Sequence, residues 1–243
     1  MEQFHMEPQK LRIAIAGRTN TGKTTLIRTL MKTSVGEVRD SPNVTKIGQA
    51  YYFDGVQATF IDTPGFQYAS IVAMYLDGIA QDPNFQLPQK WRDKLTYDQD
   101  AMKALDDSDA IIYVASLSVV PDDSFNEELT ITKHKCSKVV AVINQYEKQL
   151  KASNNSKLEV ENRISQWKAL FKDHSINHVI TFDAHWDNPT KINQIYDGIL
   201  NITEDEQRLK FTEGLKRFKE RQVEITREAC DMLASLMGAA LLR

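Results

Sequence analysis

Residues 17–25, with the sequence GRTNTGKTT, carry the residue types and the spacing that are needed to bind phosphate groups. Gly17, Gly22, Lys23 and Thr24 fit the pattern G-x-x-x-x-G-K-[ST], whose glycines allow backbone N–H groups to face phosphate oxygens. Lys23 would neutralise the β- and γ-phosphates, and the Thr24 hydroxyl would be a ligand of Mg²⁺. We therefore predict a triphosphate-binding loop. Its predicted contact residues are Gly17, Thr19, Asn20, Thr21, Gly22, Lys23, Thr24 and Thr25.

A second segment, FIDTPGF, supplies an acidic residue that could complete this site. Asp62 ends an apolar run, and Gly65 follows three residues later. A carboxylate at the end of a strand can reach Mg²⁺, usually through water. A glycine can place its N–H on a γ-phosphate because no side chain is in the way. We therefore predict that Thr24 and Asp62 hold magnesium and that Gly65 contacts the γ-phosphate.

The elements that would position these residues alternate between strands and helices. Short apolar or β-rich runs predict strands at residues 11–16, 47–53, 57–61, 110–115, 138–143 and 177–182. Helical patterns cover residues 24–33, 67–80, 98–107, 124–134, 154–172 and 188–200. Asp54 and Gly55 predict a tight turn between the second and third strands. We therefore predict an α/β fold, with a mostly parallel sheet, one antiparallel edge hairpin and helices on both faces.

The composition restricts the class of protein. The chain has 243 residues, 42% of them hydrophobic, and a formal net charge of -3, which disfavours nucleic-acid binding through overall charge. Cys136 and Cys230 lack the spacing of a zinc site, and two lone cysteines favour a reducing compartment. The chain shows neither a secretion signal nor an apolar run of membrane-spanning length, so we predict a cytoplasmic location.

The chain divides into three parts by composition. Residues 1–10 are predicted to be a flexible N-terminus, and residues 11–202 are predicted to form the main domain. Within that domain, residues 81–100 are polar and include two prolines. This stretch is predicted to be an insertion or a mobile loop, and both a functional role and an ordinary surface connection are open at this point. Residues 203–243 form the third part.

Five segments, in this order, resemble the nucleotide-binding motifs of GTPases of the TrmE–Era–Der-like family: GRTNTGKTT, SPNVTK, IDTPGF, VINQYEK and FDAH. The resemblance covers residues 10–200 and implies a Ras-like P-loop fold that hydrolyses GTP. It also implies that Thr45 is the switch threonine, which binds Mg²⁺ and senses the γ-phosphate. The catalytic residues predicted on this basis are Lys23, Thr45, Gly65 and Gln67.

The segment that would recognise the base departs from the family's usual Asn-Lys-x-Asp, because it reads Asn144, Gln145, Tyr146, Glu147. A carboxylate here would accept two hydrogen bonds from guanine, which adenine cannot donate. Glu147 keeps the charge but is one methylene longer, so we predict a preference for GTP that depends on Glu147; a solvated loop is the alternative. The segment FDAH resembles the motif whose alanine N–H meets guanine O6. Its predicted contacts are Asp183, Ala184 and His185.

The residues that would activate water and stabilise charge also depart from the commonest pattern. Phe66 follows Gly65 and cannot orient water by hydrogen bonding. Gln67 is the candidate for that role, with an exposed switch glutamine as the alternative. We therefore predict slow hydrolysis that a partner, dimerisation or a cation accelerates. The resemblance implies that Asn20 helps to bind potassium beside the phosphates, although a left-handed turn would equally explain an asparagine there.

The sequence from Thr203 onward reads as one long helix. Thr203 and Glu206 form a predicted capping box, so the helix should begin there. A heptad pattern follows at Phe211, Leu215, Phe218, Gln222, Ile225, Ala229, Met232 and Leu236. We expect its first half to pack on the GTPase domain. Its second half includes the segment ACDMLASLMGAALL, which is apolar on most sides and too short to span a bilayer. Residues 222–243 should therefore bury against a second copy, a partner helix or a membrane surface.

Two functions from different classes are compatible with these observations. The first is a GTPase that acts as a molecular switch through its switch regions and its C-terminal helix. The second is a nucleotide-gated scaffold, or a membrane-associated assembly module, with negligible hydrolysis. Lipid binding by the helix would place either protein peripherally at the inner membrane. A role in ribosome assembly lacks support in this sequence, because it shows neither a second GTPase domain, nor a G-x-x-G loop, nor a basic tail.

Overall fold

A seven-stranded sheet lies at the centre of the described part of the chain. The computed structural model describes residues 10–32, 39–40, 49–53, 56–152, 156–184 and 189–241. The strands β1 to β7 are Leu11–Ala16, Arg39–Asp40, Gln49–Phe53, Ala58–Asp62, Ala110–Ser116, Val139–Asn144 and His178–Thr181. Every strand that the sequence predicted is found, and the two-residue β2 is an addition. The predicted flexible N-terminus, apart from Lys10, and the predicted turn at residues 54–55 lie outside the described residues.

The strands are arranged in the order β2-β3-β4-β1-β5-β6-β7. Strands β4, β1, β5, β6 and β7 are parallel, whereas β3 is antiparallel to both of its neighbours. The predicted mostly parallel sheet with an antiparallel hairpin is therefore confirmed. From β1 the chain crosses to the edge strand β2 and returns through β3 and β4, whereas from β5 it continues in the opposite direction through β6 and β7, so β1 and β5 mark the point where strand order reverses. Ligands of open α/β sheets bind beyond the carboxyl ends of the strands at such a point.

Nine helices of the described residues surround the sheet. The helices α1 to α9 are Lys23–Lys32, Ala69–Gln81, Gln89–Arg92, Thr96–Asp106, Asp123–Lys135, Tyr146–Lys151, Lys157–Asp173, Pro189–Ile202 and Asp205–Leu241. Alternate residues of β1 face opposite sides, because side chains of a strand alternate. Ile13 and Ile15 pack with α1, α8 and α9, whereas Ala14 and Ala16 pack with α4, α5 and α7. The sheet is therefore covered on both faces, as predicted.

The segment predicted as an insertion or mobile loop contains the short helix α3 and the start of α4. Leu87 and Leu95 are 3% and 2% exposed and pack with Val72 and Leu76 of α2. Trp91 packs against the same cluster. These apolar residues recur every four positions, a spacing that the surrounding polar residues obscured. The segment thus forms part of a third core cluster under α2.

The predicted capping box at Thr203 is wrong. The Thr203 N–H donates to the Ile199 carbonyl at 3.1 Å, so this residue still belongs to the end of α8. Its hydroxyl donates to the carbonyl of Leu200 at 3.3 Å instead of capping a new helix. Helix α9 begins at Asp205, and the Arg208 guanidinium binds the carbonyls of Leu200 and Thr203 at 2.8 and 2.7 Å. Arg208 therefore satisfies the last carbonyls of α8, where a cation is favourable.

The two halves of α9 have different environments. Phe211, Leu215 and Phe218 are at most 8% exposed and belong to the core cluster of α1 and α8. The predicted packing of the first half on the domain is confirmed. Beyond this contact, Val223, Met232, Leu233, Leu236 and Met237 are 60–68% exposed. Within the described ranges, none of the helices combines the length and the apolar character that crossing a bilayer requires.

We predict that Phe211→Ala lowers the free energy of unfolding by about 3–5 kcal/mol, because it empties a fully buried position. The matched change Met232→Ala, on the exposed half of the same helix, should alter it by less than about 0.5 kcal/mol. Urea denaturation followed by circular dichroism measures both values. Similar losses for the two variants would contradict the described packing of α9.

Candidate functional site

The predicted phosphate loop connects β1 to α1 at the carboxyl end of the sheet. Gly17 and Gly22 have φ angles of +129° and +94°, which side chains with a Cβ rarely adopt. A Cβ at Gly17 would also lie 2.3 Å from the carbonyl oxygen of Val114. Thr21 is buried, and its hydroxyl donates to the Arg18 carbonyl at 2.9 Å, whereas Thr19 and Asn20 are exposed. Glycine is therefore required at both ends of the turn.

Lys23 lies across this loop. Its ammonium donates to the carbonyls of Gly17 and Arg18 at 2.8 and 2.9 Å, and the residue is 8% exposed. Burial lowers the pKa of Lys23, while the nearby carboxylates of Asp62 and Glu128 oppose that shift. The loop thus holds a buried cation on neutral acceptors, an arrangement suited to an incoming anion.

Thr24 and Asp62 meet beside the loop, as the sequence predicted. The Thr24 hydroxyl donates to Asp62 Oδ2 at 2.5 Å. Strand β4 brings Asp62 there, because it pairs in parallel with β1 and places Asp62 next to Ile15. Asp62 Oδ1 is buried without a hydrogen-bond partner among the described residues. Burial raises the pKa of Asp62, and the hydrogen bond from Thr24 and the charge of Lys23 oppose that shift.

These two side chains fit a magnesium ion. A hydroxyl and a carboxylate are hard oxygen ligands, and the unpartnered Oδ1 can accept a hydrogen bond from a metal-bound water. The third predicted ligand, Thr45, lies outside the described residues. The structure therefore brings Thr24 and Asp62 together.

Gly65 lies against the phosphate loop. A Cβ at this position would be 2.9 Å from the Thr19 nitrogen and 3.2 Å from the Gly17 carbonyl oxygen. Glycine is needed here for a close backbone approach. Phe66 packs partly buried against the core, and Gln67 is exposed. Of the predicted catalytic residues described by the structure, Lys23 and Gly65 contact the loop.

Asn144 joins three segments of the site. Its Nδ2 donates to the Thr21 carbonyl at 2.9 Å, and its Oδ1 accepts the Ala184 N–H at 3.0 Å. A Cβ at Gly22 would lie 2.4 Å from this Nδ2. Asn144 therefore fixes the phosphate loop relative to the segment that contains Asp183 and Ala184. His185 lies outside the described residues.

A cavity of about 510 Å³ opens beside this junction. It continues from the phosphate loop, and its volume is in the range of small-molecule sites. Its lining residues are Gly22, Thr25, Asn144, Gln145, Lys148, Lys151, Ala152, Asp183 and Ala184. Six of these residues, all except Lys148, Lys151 and Ala152, were predicted nucleotide contacts. The two lysines were not predicted.

Gln145 braces the same region. Its φ of +69° is left-handed, and its Oε1 accepts hydrogen bonds from the hydroxyls of Ser116 and Ser118 at 2.7 and 2.6 Å. Its Nε2 donates to the Asn20 carbonyl at 3.2 Å. Asn20 itself has a φ of +66°, a conformation that asparagine tolerates better than most residues. The turn geometry therefore accounts for an asparagine at position 20.

Glu147 lies on α6 but is not among the residues that line the cavity. A carboxylate oxygen of Glu147 is 3.9 Å from Lys151 Nζ, whose side chain lines the cavity. The Glu147 and Lys148 N–H groups donate to Asp183 Oδ2 at 3.0 and 3.4 Å. Asp183, at 3% exposure, therefore holds the N-terminus of α6 in place.

The structure adds a buried ionic network that sequence reasoning missed. The Arg18 Nε lies 2.6 Å from a Glu128 carboxylate oxygen, and its Nη2 donates to the Ser124 hydroxyl at 2.5 Å. The guanidinium stacks 3.5 Å above the Phe125 ring, and the Tyr113 hydroxyl donates to Glu128 at 3.0 Å. Burial raises the pKa of Glu128, and the bond from Arg18 opposes that shift. Arg18 and Glu128 are 110 residues apart, so local sequence gave no signal.

Comparison with known protein families matches residues 12–163 to the family described as 50S ribosome-binding GTPase. The chain belongs to this GTPase family. The predicted resemblance of the chain to GTPases is therefore confirmed. The matched residues include the loop that holds Lys23.

The match to individual relatives of this GTPase domain covers only part of each relative's length. The chain is 29% identical to GTPase Der of Mycoplasmoides gallisepticum over 150 residues, which is 60% of this chain and 28% of that protein. It is 27% identical to GTPase Era of Campylobacter lari over 166 residues, or 68% of this chain and 49% of that protein. The chain thus spans less than half the length of these two relatives.

A solved GTP-binding protein from Sulfolobus solfataricus, in complex with GDP, shares the fold. The TM-score is 0.50 at 17% sequence identity, with 79% of this chain and 53% of that chain covered. The predicted Ras-like GTPase fold is confirmed by this likeness.

We predict that Glu128→Ala lowers the free energy of unfolding of this GTPase domain by about 2–4 kcal/mol. It removes the acceptor of the buried Tyr113 hydroxyl and the partner of Arg18. Glu128→Gln keeps an acceptor, so its loss should be about half as large. The neighbouring change Glu127→Ala should cost less than about 0.5 kcal/mol. Urea denaturation compares the three variants, and equal losses for positions 127 and 128 would exclude a stabilising network.

Proposed function

We propose that this chain binds GTP with Mg²⁺ and hydrolyses it to GDP and phosphate as a molecular switch. The supporting observation is the arrangement of Lys23, Thr24 and Asp62 at the carboxyl ends of β1 and β4. A buried ammonium, a hydroxyl and a carboxylate with one unpartnered oxygen meet where the strand order of the sheet reverses. Membership of the GTPase family supports the same conclusion.

The chain's own residues contribute position and charge to the reaction. Lys23 would exchange its two carbonyl acceptors for phosphate oxygens, which are stronger partners because they are charged. Thr24 and Asp62, with Thr45 as a further ligand, would hold Mg²⁺, which when bound supplies positive charge at the phosphate oxygens. Gly65 would donate its N–H to the γ-phosphate, and Gln67 would orient the attacking water. Phosphoryl transfer needs little beyond such positioning and charge stabilisation.

The cavity beside Asn144 is our proposed base site. Its position next to Gly22 and Thr25 continues the path of a nucleotide from the phosphate loop. We propose that Glu147 selects guanine and that the Ala184 segment contacts the base. Because Lys151 lies near the Glu147 carboxylate and also lines the cavity, the two side chains would act together. The divergent Asn-Gln-Tyr-Glu sequence would then retain a preference for GTP.

Two finer proposals concern the ion and the location. Potassium at Asn20 would add positive charge beside the phosphates. The proposal that GTP is bound does not depend on this ion, because turn geometry already accounts for the asparagine.

Lipid binding by the C-terminal helix would place a cytoplasmic protein peripherally at the inner membrane. The proposed division of labour is a nucleotide-binding unit at residues 11–202 and an output helix at residues 203–243.

A nucleotide-gated scaffold is the second candidate function. The exposed apolar residues of the second half of α9 favour it, because exposed apolar patches mark sites of interaction. In this case GTP or GDP would control a partner of the helix, with negligible hydrolysis. The partner would be a second copy, another helix or a membrane surface.

We predict that Lys23→Ala weakens the binding of Mg·GTP about 100-fold or more, because it removes a charge-assisted phosphate contact. The exposed change Lys168→Ala should leave the affinity unchanged. Calorimetry with GTP and ATP measures affinity and base preference, and single-turnover phosphate release in KCl or NaCl measures hydrolysis.

Equal affinity of both lysine variants for Mg·GTP would refute the proposed phosphate site. Binding without phosphate release would favour the scaffold, and equal rates in both salts would reject the potassium site.

We predict that the intact chain self-associates or binds lipid through residues 222–243. The double change Met232→Asp and Leu236→Asp should abolish this while preserving nucleotide binding, because it places charge on the exposed apolar face. Thr226→Asp with Ser235→Asp adds the same charge at exposed polar positions and serves as the control. Light scattering and liposome pelleting provide the measurements. A monomeric full chain that ignores liposomes would disprove the prediction.

A further inference from the structure

A fully buried carboxylate holds the segment that follows Gly65. Asp98, on α4, is 0% exposed, and its Oδ1 accepts the N–H groups of Gln67 and Tyr68 at 2.8 and 3.1 Å. Its Oδ2 is buried without a hydrogen-bond partner among the described residues. Asp98 is 31 residues from Gln67 and lies in the segment whose role the sequence left open.

This arrangement is costly for stability alone. A buried carboxylate loses its hydration, and an oxygen without a donor recovers none of that loss. No ion pair found among the described residues includes Asp98. An apolar residue of similar size would fill the position at lower cost, so the carboxylate's value lies in the two N–H groups that it binds.

Those two groups begin α2. Tyr68 is the N-cap position of α2, and its side chain makes no capping hydrogen bond. The Tyr68 carbonyl accepts from Ile71 and Val72, so the helix starts directly after the two residues bound by Asp98. An anion is favourable at this end of a helix. Asp98 therefore binds, from another helix, the two N–H groups that lead into α2.

The segment from Thr63 to Tyr68 is fixed at both ends. Thr63 binds the Ile15 carbonyl through its N–H at 3.3 Å and through its hydroxyl at 2.8 Å. Asp98 holds the other end, and Gly65 lies between them against the phosphate loop. The position of Gly65 is thus set from two sides.

Helix α4 is itself firmly anchored. Leu95, Met102 and Leu105 lie on the helix face that carries Asp98 and are at most 8% exposed. They pack into the clusters on both sides of α4. The carboxylate is therefore held by a rigid support and not by a surface side chain.

We propose that Asp98 is a positioning residue that holds residues 65–68 in the arrangement that binds the γ-phosphate. The inference rests on the proposed function, because it assigns Gly65 to the third phosphate. Asp98 would act through the backbone N–H groups of Gln67 and Tyr68 and not by contact with the nucleotide. The expected signature is a loss of triphosphate binding without loss of diphosphate binding, since only the triphosphate reaches Gly65.

The test uses the full chain with Asp98→Ala and Asp98→Asn, and with Asp100→Ala as a control on the same helix. Hydrogen exchange of peptides covering residues 64–72 reports the two amides directly. Fluorescent GDP and a non-hydrolysable GTP analogue report the affinities. Asp98→Ala should speed exchange and weaken the analogue about tenfold, with GDP affinity within about twofold of wild type. Asp98→Asn, which keeps a neutral acceptor, should weaken the analogue about threefold. Asp100→Ala should match the wild type.

Unchanged exchange and unchanged analogue affinity in Asp98→Ala would overturn the proposal, as would an equal loss of GDP and analogue affinity. If Asp98→Ala does not fold, Asp98→Asn decides, and wild-type behaviour of that variant is the negative result. These readouts need no hydrolysis. A wild-type chain that releases no phosphate would therefore refute the GTPase proposal. The role of Asp98 would still be decided by the hydrogen-exchange and affinity measurements.

Discussion

The phosphate loop depends on side chains that donate hydrogen bonds to its carbonyl groups. The carbonyls of Gly17 and Arg18 bind Lys23, that of Asn20 binds Gln145, and that of Thr21 binds Asn144. A loop in this position needs its N–H groups free for an anion, so its acceptors must be satisfied elsewhere. Two of these donors come from the end of β6. The shape of the loop is therefore maintained by β6, which lies two strands away from β1 in the sheet.

The need to hold the phosphate loop through contacts from other elements also explains how the rest of the site is organised. Strand β4 carries Asp62 to the loop because it pairs with β1, and β6 carries Asn144 and Gln145 because it pairs with β5. Helix α5 contributes Glu128, which binds Arg18 from the other face of the sheet. Each contact joins the loop to a different element. A substitution that shifts β4, β6 or α5 would therefore displace a side chain that contacts the loop.

The sequence predicted what is local and missed what is distant. The G-x-x-x-x-G-K-T and D-x-x-G patterns located Lys23, Thr24 and Asp62, because glycine, cation and carboxylate are needed at fixed places on a strand–turn–helix unit. The pairing of Arg18 with Glu128 depends on the packing of β1 against β5, which no local spacing encodes. The capping box failed for a related reason. Thr203 satisfied the local pattern, but the end of α8 had already engaged its N–H and hydroxyl.

The segment at residues 81–100 is a second case in which the local sequence did not predict burial. Its polar composition resembled a surface connection, yet Leu87 and Leu95 insert into a core beneath α2. The four-residue spacing of its few apolar residues was the available signal. Its most constrained residue, Asp98, could not be recognised from sequence, because an aspartate is common on exposed helices and only the fold reveals its burial.

Helix α9 has the mechanical properties of a lever. It is anchored in the core up to Phe218 and continues as one helix to Leu241, an arm of about 35 Å at 1.5 Å per residue. A 10° change in its direction at the anchor would displace its far end by about 6 Å, a simple consequence of that length. The anchor packs with α1, the helix that begins at Lys23. Sub-ångström adjustments beside the phosphate loop would thus become ångström-scale movements at the exposed apolar residues between Met232 and Met237.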